Sequence, residues 1–154
     1  MNVEAPYTDE EFERYFALRW EILRAPWGAP RGSERDELEA TAHHAVVWGD
    51  AGEALAVGRV QLNSADEAQI RYMAVAAASQ GSGLGRQIVE RLEAVARQRG
   101  AKYVVLNARD SATAFYGRLG YAAVAAAPAL FSIPHVKMRK ELLGRPNGVE
   151  SIRQ

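Results

Sequence analysis

A glycine-rich segment, residues 80–85, joins an apolar, strand-like run to a long helical pattern. The apolar run covers residues 69–75, and the helical pattern begins at Leu84. Glycines let a backbone approach a ligand without a side-chain clash, and the unpaired amides at the start of a helix attract anionic oxygens. The segment consists of Gln80, Gly81, Ser82, Gly83, Leu84 and Gly85. We therefore predict that it binds a ligand that carries phosphates.

The spacing of the glycines excludes two common nucleotide-binding loops. A dinucleotide fingerprint that starts at Gly81 needs glycine or alanine where this chain has Arg86. A Walker loop needs Gly-Lys followed by Ser or Thr, and the segment lacks that sequence. On the loop alone, two alternatives stay open: a strand-to-helix turn without a ligand, and a nucleotide site without acyl chemistry.

The same segment resembles the acyl-coenzyme A (acyl-CoA) pyrophosphate loop of the GNAT superfamily of N-acetyltransferases. That loop has Gln or Arg, then two residues, Gly, one residue, and Gly or Ala. The chain has Gln80, Gly83 and Gly85 at those places. The resemblance implies that acetyl-CoA is the co-substrate and that residues 80–85 wrap its pyrophosphate.

A second motif downstream strengthens the resemblance. The family signature is Ala-x-x-Phe-Tyr-x-x-x-Gly followed by Tyr or Phe, and the chain has Ala112, Phe115, Tyr116, Gly120 and Tyr121 at those places. Two signals in the correct order, at a separation that fits one domain, are far rarer by chance than either alone. The activity implied is the transfer of an acetyl group from acetyl-CoA to a primary amine by direct attack.

The resemblance also implies the architecture. We expect an α/β protein with the GNAT-type (acyl-CoA N-acyltransferase) fold. Its sheet would be mixed and mostly antiparallel, with six or seven strands, helices on both faces and a splayed parallel strand pair at the cofactor site. A single N-acetyltransferase domain is expected over residues 1–143, with a C-terminal tail at 144–154.

Further cofactor contacts are implied on two strands and one short helix. The resemblance places the backbone of Met73 and Val75 along the pantetheine arm of CoA. It places Asn107 near the pantetheine amides, unless that residue only terminates its strand. Phe115 is expected in the core or as a wall of the cofactor site.

Tyr116 matches the family tyrosine that donates a proton to the departing thiolate. A phenol with an unperturbed pKa of about 10 stays protonated at neutral pH, and a thiol titrates near about 8.5. The resemblance therefore implies that Tyr116 is the general acid. The alternative is an aromatic packing role beside Phe115.

The sequence does not assign a general base. Many family members carry a glutamate on the strand before the glycine loop, but the matching residue here is Gln69, whose amide cannot usefully accept a proton. The remaining candidates are His43, His44, Asp66, Glu67 and His135. A CoA-binding regulatory module without catalysis is therefore an alternative to an enzyme.

His43 and His44 are neighbours on a predicted strand and would face opposite sides, so no shared metal site is expected.

The acceptor is not identified by the sequence. Trp20, Trp27 and Arg31 border a segment rich in Pro and Gly, residues 25–32, which in this superfamily often shapes the acceptor pocket. The implied partner is the amine of a small molecule or a peptide. The oligomeric state, a homodimer included, stays open.

The amino-acid composition argues against several other classes of function. Lys plus Arg and Asp plus Glu both number 19, so the net charge is zero and no nucleic-acid partner is expected. The chain has no cysteine, which excludes disulfides and thiolate chemistry. The first 24 residues carry six acidic side chains, unlike a signal peptide, and no apolar stretch could span a bilayer. We expect a cytoplasmic protein without a membrane partner.

Periodicity predicts the elements that must position these residues. Helices are predicted at 8–24, 33–39 with Ser33 as its cap, 84–99, and from a cap at Asp110 or Ser111 to Gly120. Strands are predicted at 42–48, 54–62, 69–75, 102–106, 121–126 and 130–138. The charges on the long helix, Arg86/Glu90 and Glu93/Arg97 among them, are spaced by four residues and predict a solvated face.

Overall fold

The computed structural model describes residues 2–142 of the chain. The helices are α1 (Asp9–Leu23), α2 (Leu84–Gln98) and α3 (Thr113–Arg118). The strands are β1 (His43–Trp48), β2 (Ala54–Leu62), β3 (Glu67–Val75), β4 (Tyr103–Arg109), β5 (Ala122–Leu130) and β6 (Ile133–Glu141). Short 3-10 turns occupy Ala25–Trp27, Ala77–Ser79 and Asp110–Ala112. The predicted tail, residues 144–154, lies outside the described residues.

The strands form one mixed sheet in the order β1-β2-β3-β4-β6-β5. β1 and β2 are antiparallel, as are β4 and β6, and β5 and β6. β3 and β4 run parallel, with Gln69 opposite Val105, and α2 lies between them in the chain. The predicted mixed sheet of the acyl-CoA N-acyltransferase fold is therefore confirmed. The splay of the parallel pair stays a prediction.

By their internal contacts the residues group into two compact units. Unit one comprises the described residues up to Gln61 together with Ile70–Leu92, and unit two comprises Leu62–Gln69 together with the described residues from Glu93 onward. A single domain over residues 1–143 stays a prediction.

In unit one, helix α1 begins at a capping box and packs on β1 and β2. The Thr8 hydroxyl accepts a hydrogen bond from the Glu11 amide at 3.1 Å, and the Glu11 carboxylate accepts one from the Thr8 amide at 3.2 Å. Tyr15 and Phe16 on the apolar face of the helix are buried in a cluster with Val46 of β1. The predicted first helix is confirmed, because the cap and the apolar stripe are both local patterns.

The predicted helix over residues 33–39 is wrong, since this segment forms turns. The Ser33 hydroxyl donates back to the Pro30 carbonyl at 2.6 Å, so it does not cap a following helix. The Asp36 carboxylate instead accepts from the Leu38 amide at 2.9 Å, and the Glu34 carboxylate accepts from the Gly32 amide at 2.8 Å. Side chains therefore satisfy backbone groups that a helix would have paired internally.

In unit two, α3 ends as predicted but begins differently. Gly120 adopts a φ of 101°, and the amide of Tyr121 donates to the Tyr116 carbonyl at 3.1 Å, which closes the helix. Capping by Asp110 or Ser111 is wrong, because both lie in a 3-10 turn that precedes the helix without a side-chain cap.

The solvated face predicted for α2 is wrong at Glu93. Glu93 is buried, its carboxylate accepts from the Tyr121 hydroxyl at 2.8 Å, and it pairs with the Lys140 ammonium at 3.0 Å. The Arg86–Glu90 pair, at 3.0 Å, is exposed as predicted.

No helix within residues 2–142 has the length and apolar character needed to cross a membrane.

Candidate functional site

The glycine loop of unit one lies between β3 and α2, as the sequence predicted. Gly81 and Gly83 adopt φ values of 80° and 87°, in the left-handed region that disfavours other residues. A Cβ at either position would meet no atom within 4 Å, so open space lies in front of the loop. The loop leads into the fifteen-residue helix α2, whose first amides have no acceptor within the helix. This arrangement suits an anionic group.

The end of β3 is tied to this loop. The Gln80 side-chain amide donates to the Val75 carbonyl at 3.3 Å. A Cβ added to Gly58 would come within 2.6 Å of the Met73 sulfur, so the Met73 side chain packs against β2. This packing leaves the backbone of Met73, rather than its side chain, as the group that could meet a ligand. Arg86 is engaged with Glu90 and points its charge along the exposed helix face.

Tyr72 departs from strand geometry within β3. Its φ is 59°, a value that non-glycine residues rarely adopt and that costs conformational energy. The ring lies 4.3 Å from the Arg19 guanidinium, 4.8 Å from that of Arg59 and 4.7 Å from that of Arg71. These cation–π contacts help to hold the strained residue in place just before Met73 and Val75.

The Asp36 carboxylate contacts two of the arginines that surround Tyr72. Its carboxylate receives two hydrogen bonds from Arg59, at 2.7 and 3.0 Å, and pairs with Arg71 at 3.3 Å. These contacts, the Arg59 hydrogen bonds foremost, lower the pKa of Asp36 to about 2. The residues of this group are far apart in the sequence, and no spacing rule predicts them.

In unit two, the Tyr116 side chain is buried, and its hydroxyl has no hydrogen-bond partner among the described residues. Tyr116 is 8% exposed, and burial raises the pKa of its phenol above the ordinary value of 10.0. Its ring packs against Phe115 and Tyr121, with centroids 4.9 and 5.9 Å away. Its hydroxyl makes no hydrogen bond to the part of the chain that the structure describes. The phenol therefore keeps its proton and has it available to donate.

Asn107 lies within β4, opposite Lys137 of β6, and the strand continues to Arg109. The alternative in which Asn107 only terminates its strand is therefore wrong. Its side chain lines a cavity of about 200 Å³ in unit two. The polar lining consists of Glu67, Gln69, Asn107 and Lys137, and the apolar lining of Val105, Ala126, Ala127 and Pro128.

One candidate for the general base, Glu67, lies beside this cavity on β3, together with Gln69, the residue at the position of the family glutamate. The Gln69 side-chain oxygen accepts a hydrogen bond from the Asn63 amide at 2.9 Å, and an amide has no useful basicity. Glu67 accepts from Asn63 at 2.7 Å and from the Tyr103 hydroxyl at 3.1 Å. These hydrogen bonds, with that from Asn63 the largest, hold the pKa of the Glu67 carboxyl below its ordinary value. Glu67 is thus a stable carboxylate and a weak base.

The histidine candidates differ in what surrounds them. His44 is buried in unit one between the Tyr15 hydroxyl and the Glu39 carbonyl, each 2.8 Å from a ring nitrogen, and burial lowers its pKa. Both of its nitrogens are therefore occupied. His135 of unit two is half-buried, and its Nδ1 lies 2.8 Å from the Ile133 carbonyl. A carbonyl accepts only, so Nδ1 carries the proton and the lone pair of a neutral ring resides on Nε2.

The segment after α1 is stabilised by its own side chains. The indole of Trp20 donates to the Ala29 carbonyl at 2.9 Å, and the Arg31 guanidinium lies 5.4 Å from the Trp20 ring. Trp20 and Arg31 thus stabilise this loop in unit one.

Asp66, the remaining acidic candidate for the general base, is exposed. Its carboxylate lies 3.8 Å from the Lys102 ammonium, and its carbonyl accepts a hydrogen bond from the Lys102 amide. Within residues 2–142, no three His, Asp or Glu side chains converge as metal ligands do.

Comparison with known proteins identifies the family. The family model described as "Acetyltransferase (GNAT) family" matches residues 12–121, more than half of the chain. The chain therefore belongs to the GNAT family, and it is an acyltransferase that uses an acyl-CoA donor.

Three relatives illustrate how far the similarity extends. The chain is 29% identical over 134 residues to the uncharacterized N-acetyltransferase YjcF of Bacillus subtilis (strain 168), covering 86% of this chain and 94% of that protein. An acyl-CoA N-acyltransferase from Pseudomonas aeruginosa superposes with a TM-score of 0.77 at 30% identity, over 90% of this chain and 97% of that one. An aminoglycoside 6'-N-acetyltransferase solved with coenzyme A shares the fold, with a TM-score of 0.77 at 15% identity over 96% and 100% of the two chains.

Proposed function

We propose that this chain transfers an acetyl group from acetyl-CoA to the primary amine of an acceptor by direct attack. The thioester supplies the activated acyl group, and the chain holds it, provides charge stabilisation and moves one proton. The reaction joins the amine nitrogen to the acetyl carbon and breaks the carbon–sulfur bond. The thiolate takes up one proton, and the amine releases one.

The pyrophosphate of the co-substrate is assigned to the glycine loop. The left-handed Gly81 and Gly83, the open space before them and the amino end of α2 support this assignment. The complex of the aminoglycoside 6'-N-acetyltransferase with coenzyme A supports a CoA donor for this fold. The proposed cofactor contacts are Met73, Val75, Gln80, Gly81, Ser82, Gly83, Leu84, Gly85, Asn107 and Phe115.

The observation that carries the catalytic proposal is that Tyr116 has a buried side chain whose hydroxyl forms no hydrogen bond with the described residues. An acid that acts on a thiolate must be protonated at neutral pH and free of stronger acceptors. Burial of Tyr116 raises its pKa, and the described residues offer its hydroxyl no hydrogen-bond acceptor. Tyr121 lies beside it with its hydroxyl bound to Glu93 and cannot take this role.

The amide side chain of Gln69 favours one alternative function, that of a CoA-binding module without catalysis. With no basic group at that position, the amine must arrive neutral or give its proton to another group. A module that binds CoA without turnover would need no base, so Gln69 also fits a regulatory role.

An assay of thiol release distinguishes the two functions. The protein is incubated with acetyl-CoA and a panel of primary amines, and CoA binding is measured in parallel by calorimetry. Release of thiol that depends on the amine, with formation of the N-acetyl product, supports the enzyme. Tight CoA binding with no turnover on any amine would support the module and contradict the proposal.

A further inference from the structure

The cavity in unit two carries two opposite charges that do not neutralise each other. Glu67 and Lys137 both line it, on β3 and β6. The Lys137 ammonium attracts the Glu67 carboxylate electrostatically, yet Lys137 forms no ion pair among residues 2–142. The cavity therefore presents one anion and one cation to whatever enters it.

Neutral donors maintain the negative side of this cavity. Glu67 is bonded to the Asn63 amide at 2.7 Å and to the Tyr103 hydroxyl at 3.1 Å. Neutral donors of this kind stabilise a carboxylate without cancelling its charge. Arg139 of β6 also attracts this carboxylate, but its guanidinium is paired with Glu141 at 2.5 Å and lies over the Tyr103 ring.

We propose that this cavity binds the acceptor and that the acceptor is a small zwitterionic amine of the α-amino acid type. Glu67 attracts its ammonium group and Lys137 its carboxylate, while Gln69 offers hydrogen bonds to either. The inference rests on the proposed function, because it names the amine that would receive the acetyl group. Amines without an adjacent carboxylate, including peptide N-termini and lysine side chains, leave Lys137 without a partner.

The size and walls of the cavity agree with this class. Its volume of about 200 Å³ is below the range of about 300–1,000 Å³ that is usual for larger ligands. Ala126, Ala127 and Pro128 of β5 form a small apolar wall. An amino acid with a short aliphatic side chain fits these dimensions better than an aromatic amine or a sugar.

Acetylation itself would promote product release. The bound ammonium group releases one proton to solvent before the nitrogen attacks, and the amine proton lost on acylation balances the one taken up by the thiolate. The product then has a neutral amide where the substrate had an ammonium group, and its carboxylate keeps a negative charge. The attraction to Glu67 is lost and repulsion remains, so the N-acetyl amino acid should bind more weakly than the amino acid.

Binding without turnover tests the inference. Protein saturated with CoA, which carries no acetyl group, is titrated calorimetrically with L-alanine, L-alanine amide and N-acetyl-L-alanine. L-Alanine is expected to bind at least tenfold more tightly than either analogue. Lys137→Met should reduce the affinity for L-alanine to that for the amide and leave the amide unchanged. Lys102→Met removes an exposed charge of the same unit outside the cavity and should change neither affinity.

Equal binding of L-alanine and its amide to the wild type would overturn the inference, as would binding of neither. An equal loss of both ligands in Lys137→Met, with unchanged thermal unfolding, would overturn it as well. The acetyl-transfer proposal fails separately, through absent CoA binding or absent turnover. In that case the same titrations of the free protein still decide whether the cavity selects zwitterions.

Discussion

The carboxylate of Asp36 meets the guanidinium of Arg59 through two parallel hydrogen bonds, at 2.7 and 3.0 Å. Asp36 lies in the turns between α1 and β1, and Arg59 lies within β2, fully buried. The pair therefore fixes an irregular segment to the sheet of unit one. A bidentate contact of this kind is stronger and more directional than a single hydrogen bond.

Replacement of Asp36 with Asn should lower the free energy of unfolding by about 1.5–3 kcal/mol, because it removes one of the two carboxylates that pair with the buried Arg59 and leaves only Glu39, at 2.9 Å. Denaturant unfolding of the two proteins measures the difference. The exposed pair Arg86–Glu90 offers a control, and Glu90→Gln should cost less than about 1 kcal/mol. Equal effects of the two changes would show that the Asp36 contact does not stabilise the segment.

The same contact predicts how stability depends on acid. The pKa of Asp36 is lowered to about 2 in the folded protein, whereas an unfolded aspartate titrates near about 3.9. The folded state thus binds fewer protons, so the contribution of Asp36 is complete above about pH 4 and is lost as pH falls through about 2. The stability difference between wild type and Asp36→Asn should shrink across that window. A constant difference from pH 5 to pH 2 would contradict the assignment.

Replacement of Gly83 with Val should weaken CoA binding at least tenfold, because the side chain would enter the open space before the loop and disfavour its positive φ. Gly52 provides a matched control. It lies in the β1–β2 hairpin with a φ of 82° and open space around it, so Gly52→Val imposes the same backbone strain away from the loop. Calorimetry should show unchanged CoA affinity for Gly52→Val. Equal affinities of the two variants would place the pyrophosphate elsewhere.

The ion pair between the buried Glu93 and the half-buried Lys140 should be sensitive to the loss of one partner. Lys140→Met leaves the Glu93 carboxylate with only the Tyr121 hydroxyl and should destabilise the protein by about 3 kcal/mol. The double variant Glu93→Met/Lys140→Met should recover part of that loss, because no charge is left unpaired. A double variant less stable than Lys140→Met would contradict this interpretation.

The elements that the sequence predicted correctly are those with local causes. The capping box at Thr8, the glycines of the loop and the closing Gly120 each act within a few residues of the chain. The turns that replace the predicted helix at 33–39 depend instead on side-chain contacts with distant partners, such as Arg59. Helix propensity depends on neighbouring residues alone and therefore does not predict such contacts.

The candidate site was predictable in part for the same reason. Glycine spacing and the motif around Tyr116 are visible in the sequence, and they led to the family. Lys137 was missed because its place in the cavity depends on the register of β6 against β4, where it lies opposite Asn107. The burial of Glu93 was missed because Lys140, its partner, lies 47 residues away in the sequence.

Tyr116 should keep its proton under alkaline conditions. Burial raises the pKa of its phenol above 10.0, so loss of the acid should not limit the reaction below that pH. The rate should rise with pH as the acceptor amine loses its proton and should not fall before about pH 10. A rate profile measured from pH 6 to pH 10 tests this, and a decline beginning near pH 8, with the fold intact, would show that another group supplies the proton.

The decisive measurement is the turnover of Tyr116→Phe with acetyl-CoA, compared with that of Tyr121→Phe. Both variants lose the hydroxyl of one buried tyrosine, but the hydroxyl of Tyr121 is bound to Glu93 and only stabilises the fold. We expect kcat to fall roughly 10- to 1000-fold in Tyr116→Phe with CoA affinity nearly unchanged, and to stay within about twofold in Tyr121→Phe. Wild-type turnover by Tyr116→Phe would refute its role as the general acid.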